Sequence, residues 1–87
     1  MNKRVGIVVP TLGDRPDYLK HCLRSIRAAG EAHILLVAPT SLNGTVLKSE
    51  GLIDGFVVDE GSGLASAINK GIRALPSSVE YTNWLGD

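Results

Sequence analysis

Val5-Gly6-Ile7-Val8-Val9-Pro10-Thr11 decides how the rest of the chain is read. Five apolar or small residues in a row, four of them β-branched, suit a strand covered on both faces, which is the pattern of a parallel sheet rather than of a half-exposed hairpin. Pro10 ends the run because it cannot donate to a ladder. Thr11-Leu12-Gly13-Asp14-Arg15 then reads as a loop, and Pro16 is a favourable first helical residue. Leu19, Cys22, Leu23 and Ile26 fall on one helical face, Lys20, Arg24 and Arg27 on the other, and Gly30 is the expected left-handed stop.

The same alternation continues. His33-Ile34-Leu35-Leu36-Val37 is a second strand. Leu42, Val46 and Leu47 fit a short helix, against which Asn43-Gly44 argues as a turn signal, and Gly51 closes the segment. Phe56-Val57-Val58 is a third strand. Asp59-Glu60-Gly61-Ser62-Gly63 is a turn with Ser62 as the expected cap, followed by a helix marked by Leu64, Ala67, Ile68, Ile72 and Leu75 and ended by Pro76. Tyr81 to Leu85 alternate as a fourth strand running into Gly86-Asp87. Strand–helix alternation of this kind predicts an α/β fold: a Rossmann-like parallel sheet of order 3-2-1-4 with flanking helices. The crevice outside the first and fourth strand ends, between Pro10–Arg15 and Asp87, is the expected ligand site.

Composition narrows the function classes. The chain has 87 residues, room for one domain, and 44% apolar content, too much for a disordered segment. Nine basic residues balance nine acidic ones, so no net field favours nucleic acid or an anionic membrane. Cys22, the single cysteine, forms no internal disulfide and is expected as a small buried thiol in a reducing, cytoplasmic setting. The opening apolar run is too short for a signal-peptide core or a membrane span. A strand that ends on an acid leads to the expectation that residues 1–87 are a truncated front piece of a longer protein, with any membrane association made through other parts.

The loops supply the candidate chemistry. Gly13 allows close backbone approach, and Arg15 suits a phosphate oxygen near a helix start; alternatively the five residues form an ordinary turn with Asp14 capping the helix and Arg15 in solvent. Asp59 suits donors on a base or ribose, or a plain turn. Gly61 and Gly63 match only the first two glycines of a dinucleotide loop, Ser66 stands in place of the third, and the loop follows the wrong strand. On the second long helix, Asn69 is expected in solvent or bonded to a neighbouring loop, and Lys70 and Arg73 are expected on the solvated face. His21 and His33 have no partner at ligand spacing. Asp87 suits Mg²⁺ or Mn²⁺, given a second acid close by; alternatively it is a solvated acid at the end of the strand.

In this order and spacing, Val5–Thr11, Arg15-Pro16-Asp17-Tyr18-Leu19, Cys22-Leu23-Arg24-Ser25-Ile26, Gly63-Leu64-Ala65-Ser66-Ala67-Ile68-Asn69-Lys70-Gly71-Ile72 and Trp84-Leu85-Gly86-Asp87 resemble the N-terminal half of a family 2 glycosyltransferase of the GT-A fold. The resemblance covers nearly the whole chain. It implies the nucleotide-sugar-binding portion of an enzyme that transfers a sugar to an acceptor hydroxyl (on a saccharide, lipid or protein), with inversion and with Mg²⁺ or Mn²⁺. It implies that Pro10 and Thr11 line the base and ribose pocket, that Gly63 and Leu64 lie near the base, and that Asp87 opens the metal motif. The family commonly has an acid after its second strand, where this chain has Ala38-Pro39, which leaves Asp59 or a backbone group to make that contact. The catalytic base lies further along in the family and is not among these residues, so the chain alone is expected to be inactive.

Two other readings compete. A nucleotidyltransferase would carry a loop richer in glycine after the first strand; a non-enzymatic flavodoxin-like binding domain would place an acid after an early strand. In the predicted order, the fourth strand is an open edge, so self-association through it is also expected.

Overall fold

The structure is a computed structural model and describes residues 4–40 and 42–86. Along the chain run β1 (Val5–Pro10), α1 (Pro16–Ala29), β2 (His33–Ala38), α2 (Gly44–Ser49), β3 (Gly55–Val58), α3 (Leu64–Ala74) and β4 (Tyr81–Trp84). The strands form one sheet in the order β3-β2-β1-β4, and every neighbouring pair is parallel. This is the predicted Rossmann-like α/β arrangement. A parallel neighbour is reached only by a crossover, and each crossover lays its helix on a sheet face.

The pleat divides the apolar residues of each strand between two cores. On one face, Val9, Ile34, Leu36 and Ala38 pack with Leu19, Leu23 and Ile26 of α1, Leu47 of α2, and Leu52 and Ile53. On the other, Val8 and Val37 meet Ala67 of α3, with Leu75 alongside. Val8, Val9, Leu19, Leu23, Ile34, Leu36 and Val37 are all essentially inaccessible; burying each such side chain stabilises the fold by about 1.5–3 kcal/mol. The second core is thinner and is closed by close approach instead of bulk. A Cβ on Gly71 would lie 2.3 Å from Val8 Cγ1, and one on Gly6 would lie 2.9 Å from Leu75 Cδ1. Gly71 is thus the point where α3 rests on β1, a role the apolar periodicity does not reveal.

Several local expectations are corrected. Asp14 does not cap α1: the cap position is Arg15, which makes no side-chain cap bond. Pro16 at the first helical position has no N–H to satisfy, and Asp17 in the first turn complements the helix dipole. Gly30 does stop the helix, but at φ 154° and ψ −173°, an extended glycine conformation and not a left-handed turn. Cys22 is half-buried. Arg27 does not belong to the solvated side. Its guanidinium donates to the Gly51 carbonyl, to the Ala32 carbonyl and, at 2.9 Å, to Asp54 Oδ2. Asp54 Oδ2 also accepts from Ile34 N, so one ion pair ties the end of α1 to the start of β2.

Asn43-Gly44 starts α2 where a turn signal was read. Asn43 Oδ1 accepts from Val46 N at 3.2 Å, the usual N-cap bond. Gly44 allows the Phe56 ring of β3 to sit where a Cβ would be, 2.5 Å from Phe56 Cγ. The helix ends in a Schellman motif: Gly51 N donates to Lys48 O and Leu52 N to Leu47 O, while Leu47 and Leu52 share the core. Among the described residues, no helix is long and apolar enough to cross a membrane.

Candidate functional site

β1 has β2 on one side and β4 on the other, so the chain reverses its order there, and a crevice opens beyond the carboxyl ends of the strands. The crevice is an open cleft of about 740 Å³. Pro10, Thr11 and Leu12 form one wall, and Val37 and Pro39 continue it at the end of β2. The β3–α3 turn contributes Asp59, Glu60, Gly61 and Gly63, α3 contributes Leu64 and Ala67, and Trp84 and Gly86 close the β4 side. The lining is largely apolar with a few convergent polar groups, the usual character of a small-molecule site.

The β1 wall is held by the backbone. Thr11 N donates to Val37 O at 2.9 Å, which fastens the loop to β2. Thr11 Oγ1 accepts from Gly13 N at 3.1 Å, and Gly13 takes φ +76°, a turn conformation that favours glycine. Gly13 faces Pro39 and Leu42, and the Arg15 guanidinium stacks over the Tyr18 ring at 4.8 Å. Of the residues expected to bind ligand, Pro10, Thr11, Asp59, Gly63 and Leu64 line the cleft; Gly13 and Arg15 do not.

The β3–α3 turn carries the site's charge. Ala38 and Val58 are in register, and Asp59 N donates to Ala38 O at 2.9 Å. Asp59 therefore stands beside the Ala38-Pro39 strand end. Its side chain is only 7% exposed, and Oδ1 accepts from Lys70 Nζ at 2.6 Å. Ser62 Oγ also donates to Oδ1, and Ser62 N donates to Oδ2 at 3.3 Å. Ser62 is thus not the cap of α3; that position is Gly63 at φ 97°, a backbone conformation suited to glycine. The Lys70 and Ser62 hydrogen bonds hold the Asp59 carboxyl down at about 2, from an ordinary 3.8. Glu60 accepts from both Thr40 N and Thr40 Oγ1, and these bonds lower its pKa as well.

Lys70, bonded to Asp59, and Trp84, at the cleft wall, are the neighbours of the cleft that the sequence alone does not place there. Lys70 was expected on a solvated face; it lies eleven positions after Asp59, and only the turn between β3 and α3 folds it back. Trp84 pairs in register with Val8, so it shares the α3 side of the sheet with Val8 and Val37. Its parity in the strand carried that information, but only once the register was known.

Gly86 lines the cleft, whereas Asp87, the expected metal ligand, lies outside the described residues. Among the described residues, no three His, Cys, Asp or Glu side chains come together to hold a metal ion. The carboxylates at the cleft, Asp59 and Glu60, are committed to Lys70, Ser62 and Thr40. These residues alone do not fit Mg²⁺ or Mn²⁺. Compared with protein-family models, curated proteins and solved structures, the chain matches none of them at a significant level.

Proposed function

We propose that the cleft binds the nucleoside end of a nucleotide sugar, and that the chain is the donor-binding portion of a glycosyltransferase. The observation that carries this reading is the meeting of Pro10-Thr11, the Asp59–Leu64 turn and Trp84–Gly86 around one cleft at the strand ends. These are the stretches whose resemblance to family 2 glycosyltransferases implies donor binding. The Trp84 ring offers a flat face for a base, with apolar surface from Pro10, Leu12 and Leu64 in the same cleft. Asp59 offers an acceptor beside the Ala38-Pro39 strand end, where such enzymes commonly carry an acid of their own.

Asp59 serves binding and not proton transfer. A carboxyl held at about 2 is a weak base at neutral pH. The acceptor hydroxyl must be deprotonated by another group, and no catalytic residue is assigned. A nucleotidyltransferase draws less support, because Arg15, the cation of the first loop, stacks on Tyr18 and does not line the cleft.

Calorimetric titration with UDP and GDP, each with and without Mn²⁺, tests the proposal. Saturable heat with at least one diphosphate is expected, and a Mn²⁺-dependent gain would bring Asp87 into the site. No heat with either nucleotide under any condition would overturn the reading in favour of a non-nucleotide binding domain. In the complete enzyme, release of a nucleoside diphosphate and not pyrophosphate is the expected product. The chain alone should turn over no nucleotide sugar. All four β4 residues are exposed at the sheet edge, and self-pairing there is expected to appear as a concentration-dependent dimer in sedimentation.

A further inference from the structure

We propose that Lys70 is a positioning residue of the cleft: it fixes the Asp59 carboxylate so that Oδ2 accepts a hydrogen bond from a hydroxyl or N–H of a nucleoside. The inference rests on the nucleotide reading above and adds which group holds the acceptor and which part of the ligand meets it.

The hydrogen-bond inventory of Asp59 is uneven. Oδ1 accepts from both Lys70 Nζ and Ser62 Oγ. Oδ2 has one long bond, from Ser62 N at 3.3 Å. A carboxylate offers about four lone-pair sites, two on each oxygen, so Oδ1 is filled and Oδ2 keeps acceptor capacity. Asp59 lines the cleft while its side chain is 7% exposed. A nearly buried carboxylate with spare acceptor capacity at a cavity wall is set up to take a donor from a ligand.

Lys70 makes that arrangement tenable. It projects from α3, the helix that also supplies Leu64 and Ala67 to the cleft. Its ammonium is the cation bonded to Asp59 Oδ1. The other groups facing Asp59 are the Ser62 hydroxyl and Glu60 of its own turn, and the Ala38 carbonyl of β2, which accepts Asp59 N–H. None of these supplies positive charge, and Glu60 opposes it. Without Lys70, Oδ1 loses its charged partner and keeps only the Ser62 hydroxyl, so the carboxylate is held less firmly and takes up a proton more readily. The chemistry also selects the ligand part. An ionised acceptor pairs with ribose hydroxyls or base N–H groups and repels phosphate oxygens, so the nucleoside, not the diphosphate, sits against Asp59.

Calorimetry of the wild-type chain and of Lys70→Met, Lys70→Gln and Lys70→Arg, with UDP and GDP between pH 8 and 3, separates the possibilities. The wild type sets the reference profile, which includes the titration of the ligand's own terminal phosphate at about pH 6. Lys70→Met should bind about tenfold more weakly at pH 7.5, the loss typical of a charge-assisted hydrogen bond, and should lose more affinity than the wild type as the pH falls toward 3, because Asp59 without the Lys70 bond takes up its proton at a higher pH. Lys70→Gln, which keeps a donor without the charge, covers the case in which the Met variant fails to fold, and should show the same acid-side loss. Lys70→Arg should stay within about threefold of wild type, because it restores the charged donor. A merely structural Lys70 would lower the melting temperature and leave the pH profile of binding unchanged. Wild-type binding with Met and Gln variants of equal affinity and equal pH profile would overturn the Lys70 role and leave the nucleotide reading standing. A wild type that binds neither diphosphate would remove both.

Discussion

Gly71→Ala places a single methyl group at the tightest contact between α3 and the sheet, and two opposing effects can be weighed. In an exposed helix, Ala is more stable than Gly by about 0.8–1.0 kcal/mol. Here the new Cβ would fall 2.3 Å from Val8 Cγ1, 3.0 Å from Val8 Cγ2 and 3.1 Å from Val37 Cγ2. Val8 is 0% and Val37 1% exposed, both on the inner strands of the sheet. Valine is stiff about χ1, so neither can swing aside, and α3 must lift from β1 instead. Forcing a methyl into a packed core costs about 1–3 kcal/mol and sometimes more; a contact this short belongs at the upper end, leaving a net loss of about 1–2 kcal/mol after the helix gain. That corresponds to a fall in Tm of roughly 5–15 °C for a domain of this size. Urea unfolding followed by circular dichroism gives the free energy directly. The contrast is Gly44→Ala, whose Cβ would meet Phe56 Cγ at 2.5 Å. Phe56 is on an edge strand and 40% exposed, so its ring can rotate outward and the loss should be smaller than for Gly71→Ala. In Gly71→Ala/Val8→Ala the clash is removed, and the double variant should be more stable than the sum of the single losses by about 1 kcal/mol. Gly71→Ala as stable as the wild type would refute the reasoning, because α3 would then not rest on β1 at that residue.

Three further outcomes are expected. Asn43→Ala removes the side-chain cap on Val46 N and should destabilise by about 1 kcal/mol in urea unfolding, while Asn43→Asp keeps the acceptor and most of the stability. Arg27→Met leaves the Asp54 carboxylate without the guanidinium that holds it at 2.9 Å; with both side chains about a quarter exposed, the loss should be about 1–2 kcal/mol and should shrink in high salt. Asp59 has a lowered pKa, so its contribution to stability is complete above about pH 3.8 and is lost as the pH falls toward about 2. The urea midpoints of wild type and Asp59→Asn should therefore differ at pH 6 and converge as the pH falls from about 3.8 toward 2; a difference that persists unchanged at pH 2 would rule out the ionised carboxylate as its source.

The linear sequence by itself determined the architecture. Val5–Val9, His33–Val37 and Phe56–Val58 are apolar runs of strand length, separated by helical periodicities and by Pro and Gly punctuation. These signals are local, and parallel pairing leaves few ways to assemble them. The same local rules brought Pro10, Thr11, Asp59, Gly63 and Leu64 to the strand ends, because loops after parallel strands all emerge on one side of the sheet. What only the tertiary structure decided are relations between positions distant in sequence. Whether Arg15 reaches the cleft or stacks on Tyr18, whether Arg27 faces water or Asp54, and whether Lys70 is solvated or bonded to Asp59 each depends on where a second element lies. Long charged side chains look alike to any periodicity argument, since their stems suit a helix surface whichever partner their tips find. Gly71 has the opposite character: its meaning lies in the atom it lacks, and only the distance from α3 to Val8 reveals why nothing larger fits.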